Sequence, residues 1–220
     1  LEISMKKSMA MATLCLLAVG TGSAYAGEGP WLVRLRALDM NVDNENNITP
    51  VTTAHGEVDV EDKWFPEIDI SYFFTPNIAA ELVLTYPQKH DVKLGNFDIG
   101  SLKHLPPTLL LQYHFCPEGT VRPYVGAGIN YTHFSDVDLN VAPAVGTDAP
   151  LRLDTSSWGL AAQVGVDFKV APNWFVNLDA KYVQIDANDI RVKSGVLAGT
   201  YVTDLTVNPW LLSVGAGYRF

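Results

Sequence analysis

Arg34 and Arg36 stand two positions apart, and so do Glu67 and Asp69, Asp167 and Lys169, and Asp179 and Lys181. Residues two apart on an extended chain point to the same side, so each pair presents two charges to one face. Glu81, Arg122 and Arg219 complete a set of six cations and five carboxylates. Chemistry of this kind pairs charges and closes space; it does not turn over a substrate. Groups with catalytic potential are sparse. His104 and His114 share a strand face but lie ten positions apart, roughly 30 Å along a strand and too far for one metal. Asp136 and Asp138 offer at most a weak cation site in a solvated loop. His55, His90, His133 and Ser135 fall in or near long connections and form no nucleophile–base set. Gly126-Ala127-Gly128 begins like a dinucleotide loop, yet its third glycine is missing and no helical pattern follows. Gly-x-Ser-x-Gly, His-Glu-x-x-His and Cys-x-x-Cys do not occur. The chain therefore reads as a non-enzyme with no cofactor and no metal.

What must position the charges is a set of strands. The 220 residues are 48% hydrophobic and 18% charged. No apolar run after residue 26 reaches the roughly 18 residues a spanning helix needs. Instead, period-two alternation recurs in eight segments, 31–37, 64–74, 78–86, 105–115, 121–131, 158–168, 174–182 and 210–220. One parity is apolar and often aromatic; the other is polar, charged or glycine. Short turns at 75–77, 116–120 and 171–173 alternate with long polar connections at 41–63, 91–103, 135–154 and 187–202. A sandwich or lipocalin-like barrel would put the apolar parity inside. Aromatics decide otherwise, because Trp64 with Tyr72 and Phe74, Trp158 with Phe168, Trp174 with Tyr182, and Trp210 with Tyr218 mark the two ends of the apolar stripes. The pattern predicts an all-β, eight-stranded antiparallel up-and-down transmembrane β-barrel with an aromatic girdle at each interface.

Lys6-Lys7, an apolar stretch and Ala24-Tyr25-Ala26 have the order of a secretory signal peptide. Residues 1–26 are expected to be removed, with 1–4 an upstream artefact before Met5, leaving 27–220 as the barrel domain. Cys15 would leave with that segment, so Cys116 has no internal disulfide partner. A net charge of −9 and the absence of a basic face argue against a nucleic-acid partner.

With the apolar parity facing lipid, the other parity lines a lumen. Near the short turns it carries Arg34, Arg36, Glu67, Asp69, Glu81, Arg122, Asp167, Lys169, Asp179, Lys181 and Arg219, which predicts a paired ionic plug and no open aqueous pore. Lumen-facing glycines, Gly165 and Gly217 among them, make room for Tyr124 and the arginines. Nearer the long loops the same parity carries Leu38, Met40, Phe65, Val83, Leu110, Phe134, Val183, Ile185 and Leu211. These predict an apolar recess, either open to a hydrophobic small molecule or packed shut by its own side chains. Pro87, Pro106 and Pro107 fall at similar height on the third and fourth strands and cannot donate to the ladder. They either end two strands or leave a lateral seam from the recess into the membrane.

The runs HLPPT (104–108), RPYVGAGINYTHF (122–134), SWGLAAQVGVDF (157–168), NWFVNLDAKYVQID (173–186) and PWLLSVGAGYRF (209–220) resemble the OmpW family of Gram-negative outer-membrane proteins. The resemblance covers essentially the whole chain after the signal segment. It implies an outer-membrane barrel with a hydrophobic channel, exported by a cleaved signal peptide. Its expected partners are outer-membrane lipids, small hydrophobic solutes and the barrel-insertion machinery. A bulky apolar residue often helps close such lumens, whereas Lys181 stands at mid-height here. Two functions remain open at this level: passive uptake of small hydrophobic or amphipathic molecules, and a surface receptor or adhesion barrel whose loops bind phage, bacteriocin or host components.

Overall fold

The computed structural model describes residues 28–220 except 42–43, 47–48, 50–53, 57 and 61–62. The expected signal segment lies outside the described residues. In chain order the strands are β1 (Trp31–Asn41), β2 (Asn44–Asn46), β3 (Val58–Val60), β4 (Lys63–Phe73), β5 (Ile78–Thr85), β6 (Gln88–Leu94), β7 (Phe97–Leu105), β8 (Thr108–His114), β9 (Val121–Leu139), β10 (Leu151–Arg152), β11 (Ser156–Ala171), β12 (Trp174–Val183), β13 (Ile185–Val192), β14 (Tyr201–Val207) and β15 (Trp210–Arg219). Eight of them, β1, β4, β5, β8, β9, β11, β12 and β15, pair antiparallel in that order. The ring closes between β1 and β15, from Leu32 opposite Arg219 to Asn41 opposite Trp210. Closure gives each of the eight strands a partner on both sides.

Alternation produces an inside-out arrangement. On the outer wall Leu109, Leu111 and Leu160 are half or more exposed, while Arg34, Arg36 and Glu81 inside are at most 1% exposed. Only a hydrocarbon solvent makes that distribution stable. Two aromatic belts bound the apolar band. At the short-turn end Trp31 meets Tyr72 at 4.8 Å, Tyr113 meets Phe115 at 5.0 Å and Trp174 meets Tyr218 at 5.0 Å. At the other end Tyr131 meets Trp158 at 4.8 Å and Tyr182 meets Trp210 at 5.3 Å. Residues 174 to 182 of β12 join the belts, a rise of about 20 Å for strands tilted by roughly 40°.

The short turns carry local chemistry that suits them. Thr75 Oγ1 accepts hydrogen bonds from the Asn77 and Ile78 amides at 3.3 and 3.0 Å, and Asn173 takes a left-handed φ of 67°, which its short polar side chain tolerates.

The long connections differ from the expectation of polar loops. β6 and β7 form a hairpin, β9 runs on for 19 residues, and β10, β13, β14 and β2 make a separate four-stranded sheet. Their inward residues Val92, Leu94, Ile99, Leu102, Ile190, Val192 and Val202 are buried in one apolar cluster. Interleaved Lys89, Asp91 and Lys93 give those stretches a polar average that conceals the buried stripe.

Candidate functional site: a charged lumen beneath an apolar recess

The expected ionic layer divides into two tiers. In the middle tier Arg34 on β1 reaches Glu81 Oε2 and Asp167 Oδ2, each at 2.6 Å. Arg36, one rung higher, lies 2.6 Å from Asp69, 2.9 Å from Asp179, 3.2 Å from Glu81 and 3.7 Å from Glu67. Lys181 joins Glu67 at 2.6 Å and Asp179 at 2.9 Å. Three cations therefore serve five carboxylates in a tier whose side chains are at most 3% exposed. Neutral groups that the charge pattern did not single out finish the network. Gln163 donates to Glu81 Oε1 at 2.9 Å and accepts from Gln112 at 2.8 Å, and Tyr124 donates to Asp179 at 2.7 Å. Gly165 makes room for the Tyr124 ring, because a Cβ there would stand 2.3 Å from its hydroxyl.

Arg122, Lys169 and Arg219 are not part of that tier. They gather at the short-turn mouth around Glu28, which the charge pattern missed because it precedes the first strand. Arg122 holds both carboxylate oxygens, Lys169 lies at 2.6 Å and Arg219 at 3.3 Å. Arg122 and Arg219 also lie over the Phe175 and Phe73 rings, at 5.0 and 3.9 Å. Burial by itself would raise the Glu28 carboxyl, but the hydrogen bonds and charges of Arg122 and Lys169 outweigh it and hold the group down from its ordinary 4.5 to about 2. A depressed carboxylate contributes stability that is present above 4.5 and disappears as pH falls toward 2. Glu28→Gln should thus lower stability at pH 7 by about 1 kcal/mol after solvent screening. Urea midpoints in lipid vesicles should show that difference shrinking steadily between pH 4.5 and pH 2; a constant offset would assign it to packing.

Above the middle tier, the nine recess residues face inward as two apolar groups. Leu38, Met40 and Phe65 form one; Val83, Leu110, Phe134, Val183 and Ile185 join the larger cluster of the loop strands; Leu211 packs against both. The long connections supply most of the other members of the larger cluster.

Beside these apolar groups the wall is interrupted. The β5–β8 ladder ends at Val83 opposite Thr108, and pairing resumes only at Gln88 opposite His104. Pro87, Pro106 and Pro107 lie within this gap. Asn130 Nδ2 donates to the carbonyls of Pro106 and Pro107 at 3.2 and 3.3 Å, and the Tyr131 amide donates to Pro107 at 3.0 Å. A second interruption flanks it. β4 and β5 stop pairing at Glu67 opposite Thr85, next to Pro66, and beyond that point Lys63 Nζ reaches across to the Lys89 carbonyl at 2.8 Å. Pro66 and Lys63 were not singled out from the sequence because neither departs from its strand's alternation.

The other candidates have ordinary roles. Asp136 pairs with Lys103 at 2.7 Å, and His114 shares a hydrogen bond with Gln112 at 3.0 Å. Among the described residues no group of three His, Cys, Asp or Glu side chains is placed to hold a metal ion.

The profile of the OmpW family matches residues 27–220. Outer membrane protein W of Vibrio cholerae is 37% identical over 223 residues, covering 94% of this chain and 99% of that protein. The dibenzothiophene metabolism operon protein PahQ of Pseudomonas aeruginosa is 27% identical, over 94% of this chain and 98% of its own. In three dimensions the crystal structure of the outer membrane protein OprG from Pseudomonas aeruginosa superposes with a TM-score of 0.73 at 28% identity, covering 88% of this chain and 97% of that one.

Proposed function

From the premise that the chain belongs to the OmpW family of outer-membrane barrels, we propose that it is a passive channel for uptake of small hydrophobic or amphipathic molecules. The solute enters the apolar recess from outside, is turned back by the ionic tier, and leaves sideways into the membrane. One observation carries this reading: the ladder is interrupted between β5 and β8 beyond Val83 and Thr108, two rungs above Glu81, near where apolar lining gives way to buried ion pairs. A hydrocarbon gains nothing from the three buried cations below, and water or ions would have to part ion pairs that are costly to separate. A lateral path keeps an apolar solute in apolar surroundings throughout. The name of PahQ, which ties that relative to dibenzothiophene metabolism, supports an apolar solute class. Flux into liposomes carrying the purified protein tests the reading with a homologous series of solutes. Uptake should rise with apolar character and exclude sugars and salts of similar size; equal passage of polar and apolar solutes would overturn it.

A further inference from the structure

The third stave changes face at Pro87. Along β5 the odd residues Ala79, Glu81 and Val83 are buried, whereas along β6 the buried residues are the even ones, Gln88, His90, Val92 and Leu94. Strand side chains alternate strictly, so a one-residue slip exchanges faces, and Tyr86 and Pro87 absorb it. The slip turns polar side chains into the foot of the apolar recess. Gln88 is 0% exposed, and His104, its partner in register, is 6% exposed.

Gln88 Nε2 donates to the Tyr86 carbonyl at 3.0 Å, which leaves its Oε1 buried without a hydrogen-bond partner among the described residues. The His104 ring stacks on His90 with centroids 4.7 Å apart, and its Nε2 is likewise buried and unpaired. Thr85 Oγ1, on the inward parity just below the slip, is a third such atom. Burial, reinforced by His90 and Lys63, pulls the His104 imidazole down to about 3, so the ring is neutral and carries one donor and one acceptor nitrogen. Three such atoms lie within a few rungs of one another beside the wall gap, where each has hydrogen-bonding capacity open to a ligand.

We propose that Gln88, His104 and Thr85 form a headgroup site for uncharged amphiphiles bearing a hydroxyl, with the tail in the apolar cluster above. An alcohol matches the atoms available: its O–H donates to Gln88 Oε1 or to His104 Nε2, and its oxygen accepts from the Thr85 hydroxyl. None of the three groups is charged, so they suit a neutral hydroxyl, and the nearby Lys63 ammonium is engaged by the Lys89 carbonyl. A pure hydrocarbon leaves all three atoms unpaired. The site deepens the uptake reading and rests on it only in requiring that the recess be reached from outside.

The test titrates the barrel in lipid nanodiscs with cyclohexanol and, separately, methylcyclohexane, following the His104 ring resonances. Cyclohexanol should move them saturably, and methylcyclohexane should not. Replacing Gln88→Leu together with Thr85→Val, which keeps the His104 ring as reporter, should weaken cyclohexanol binding at least tenfold, and should lower the cyclohexanol-to-methylcyclohexane uptake ratio in liposomes to a similar degree. Equal responses to both solutes, or none to cyclohexanol, overturn the site. The wild-type titration decides even if the double variant fails to insert. Saturable binding without liposome uptake of either compound would count against the channel reading and leave the site standing.

Discussion

Replacing Arg36 by methionine should destabilise the barrel by about 3–5 kcal/mol, the range found when one partner of a buried ion pair is removed and the other is left uncompensated. Arg36 is the common neighbour of Glu67, Asp69, Glu81 and Asp179. Glu81 would keep Arg34, and Glu67 and Asp179 would keep Lys181. Asp69 makes its ion pair with Arg36, and its side chain is 0% exposed. Lysine at position 36 should be only partly effective, because a single ammonium cannot reproduce a planar fork that faces several carboxylates at once. Adding Asp69→Asn to Arg36→Met should recover part of the loss, as expected for residues that share one interaction. Urea unfolding in lipid vesicles, followed by tryptophan fluorescence and by the migration of unheated samples in gels, measures these differences. A loss below about 1 kcal/mol for Arg36→Met would mean that water reaches the tier and screens it.

The extent to which this architecture is legible in the sequence follows from which forces are periodic. Alternation marks Trp174, Val176, Leu178, Ala180 and Tyr182 as one face, and the same rule places Arg34 with Arg36 and Asp179 with Lys181 inside. Both features follow from local geometry alone. Glu28 is invisible to that rule because no strand parity applies ahead of Trp31; its role arises when the barrel closes and brings Arg122, Lys169 and Arg219 to one mouth. The inward turn of Gln88 and His90 is hidden for the opposite reason. Parity carried upward from β5 puts them on the wrong face, and only the slip at Tyr86 and Pro87 corrects it. The loop strands escape notice because Val92 and Leu94 alternate with lysine and aspartate, which reads as a solvated loop until the apolar cluster gives those residues something to pack against.

Replacing Pro106 by valine should reduce hydrocarbon uptake about three- to tenfold if the wall gap is the exit. Backbone polar groups alternate sides along a strand. The Pro107 carbonyl accepts from Tyr131 of β9, so Pro107 faces β9 and Pro106 faces the third stave. Continuing the register of Val83 opposite Thr108 by two residues sets Pro106 opposite Thr85, the last residue of β5. Valine restores an amide donor aimed into the gap, and one added hydrogen bond is worth about 0.5–1.5 kcal/mol. Since 1.4 kcal/mol is a factor of ten in an equilibrium, the open population falls by about that three- to tenfold range. Adding Pro87→Val should lower it further. Pro123, in the short-turn half of β9 and opposite Val166, is the control, and Pro123→Val should leave uptake unaltered. Hydrogen exchange at the amide of residue 106 shows whether the ladder has been completed. A protected amide with undiminished uptake would place the exit elsewhere, and the neighbouring length of β4 that pairs with β1 but not with β5, bridged by Lys63, would then be the next part of the wall to test.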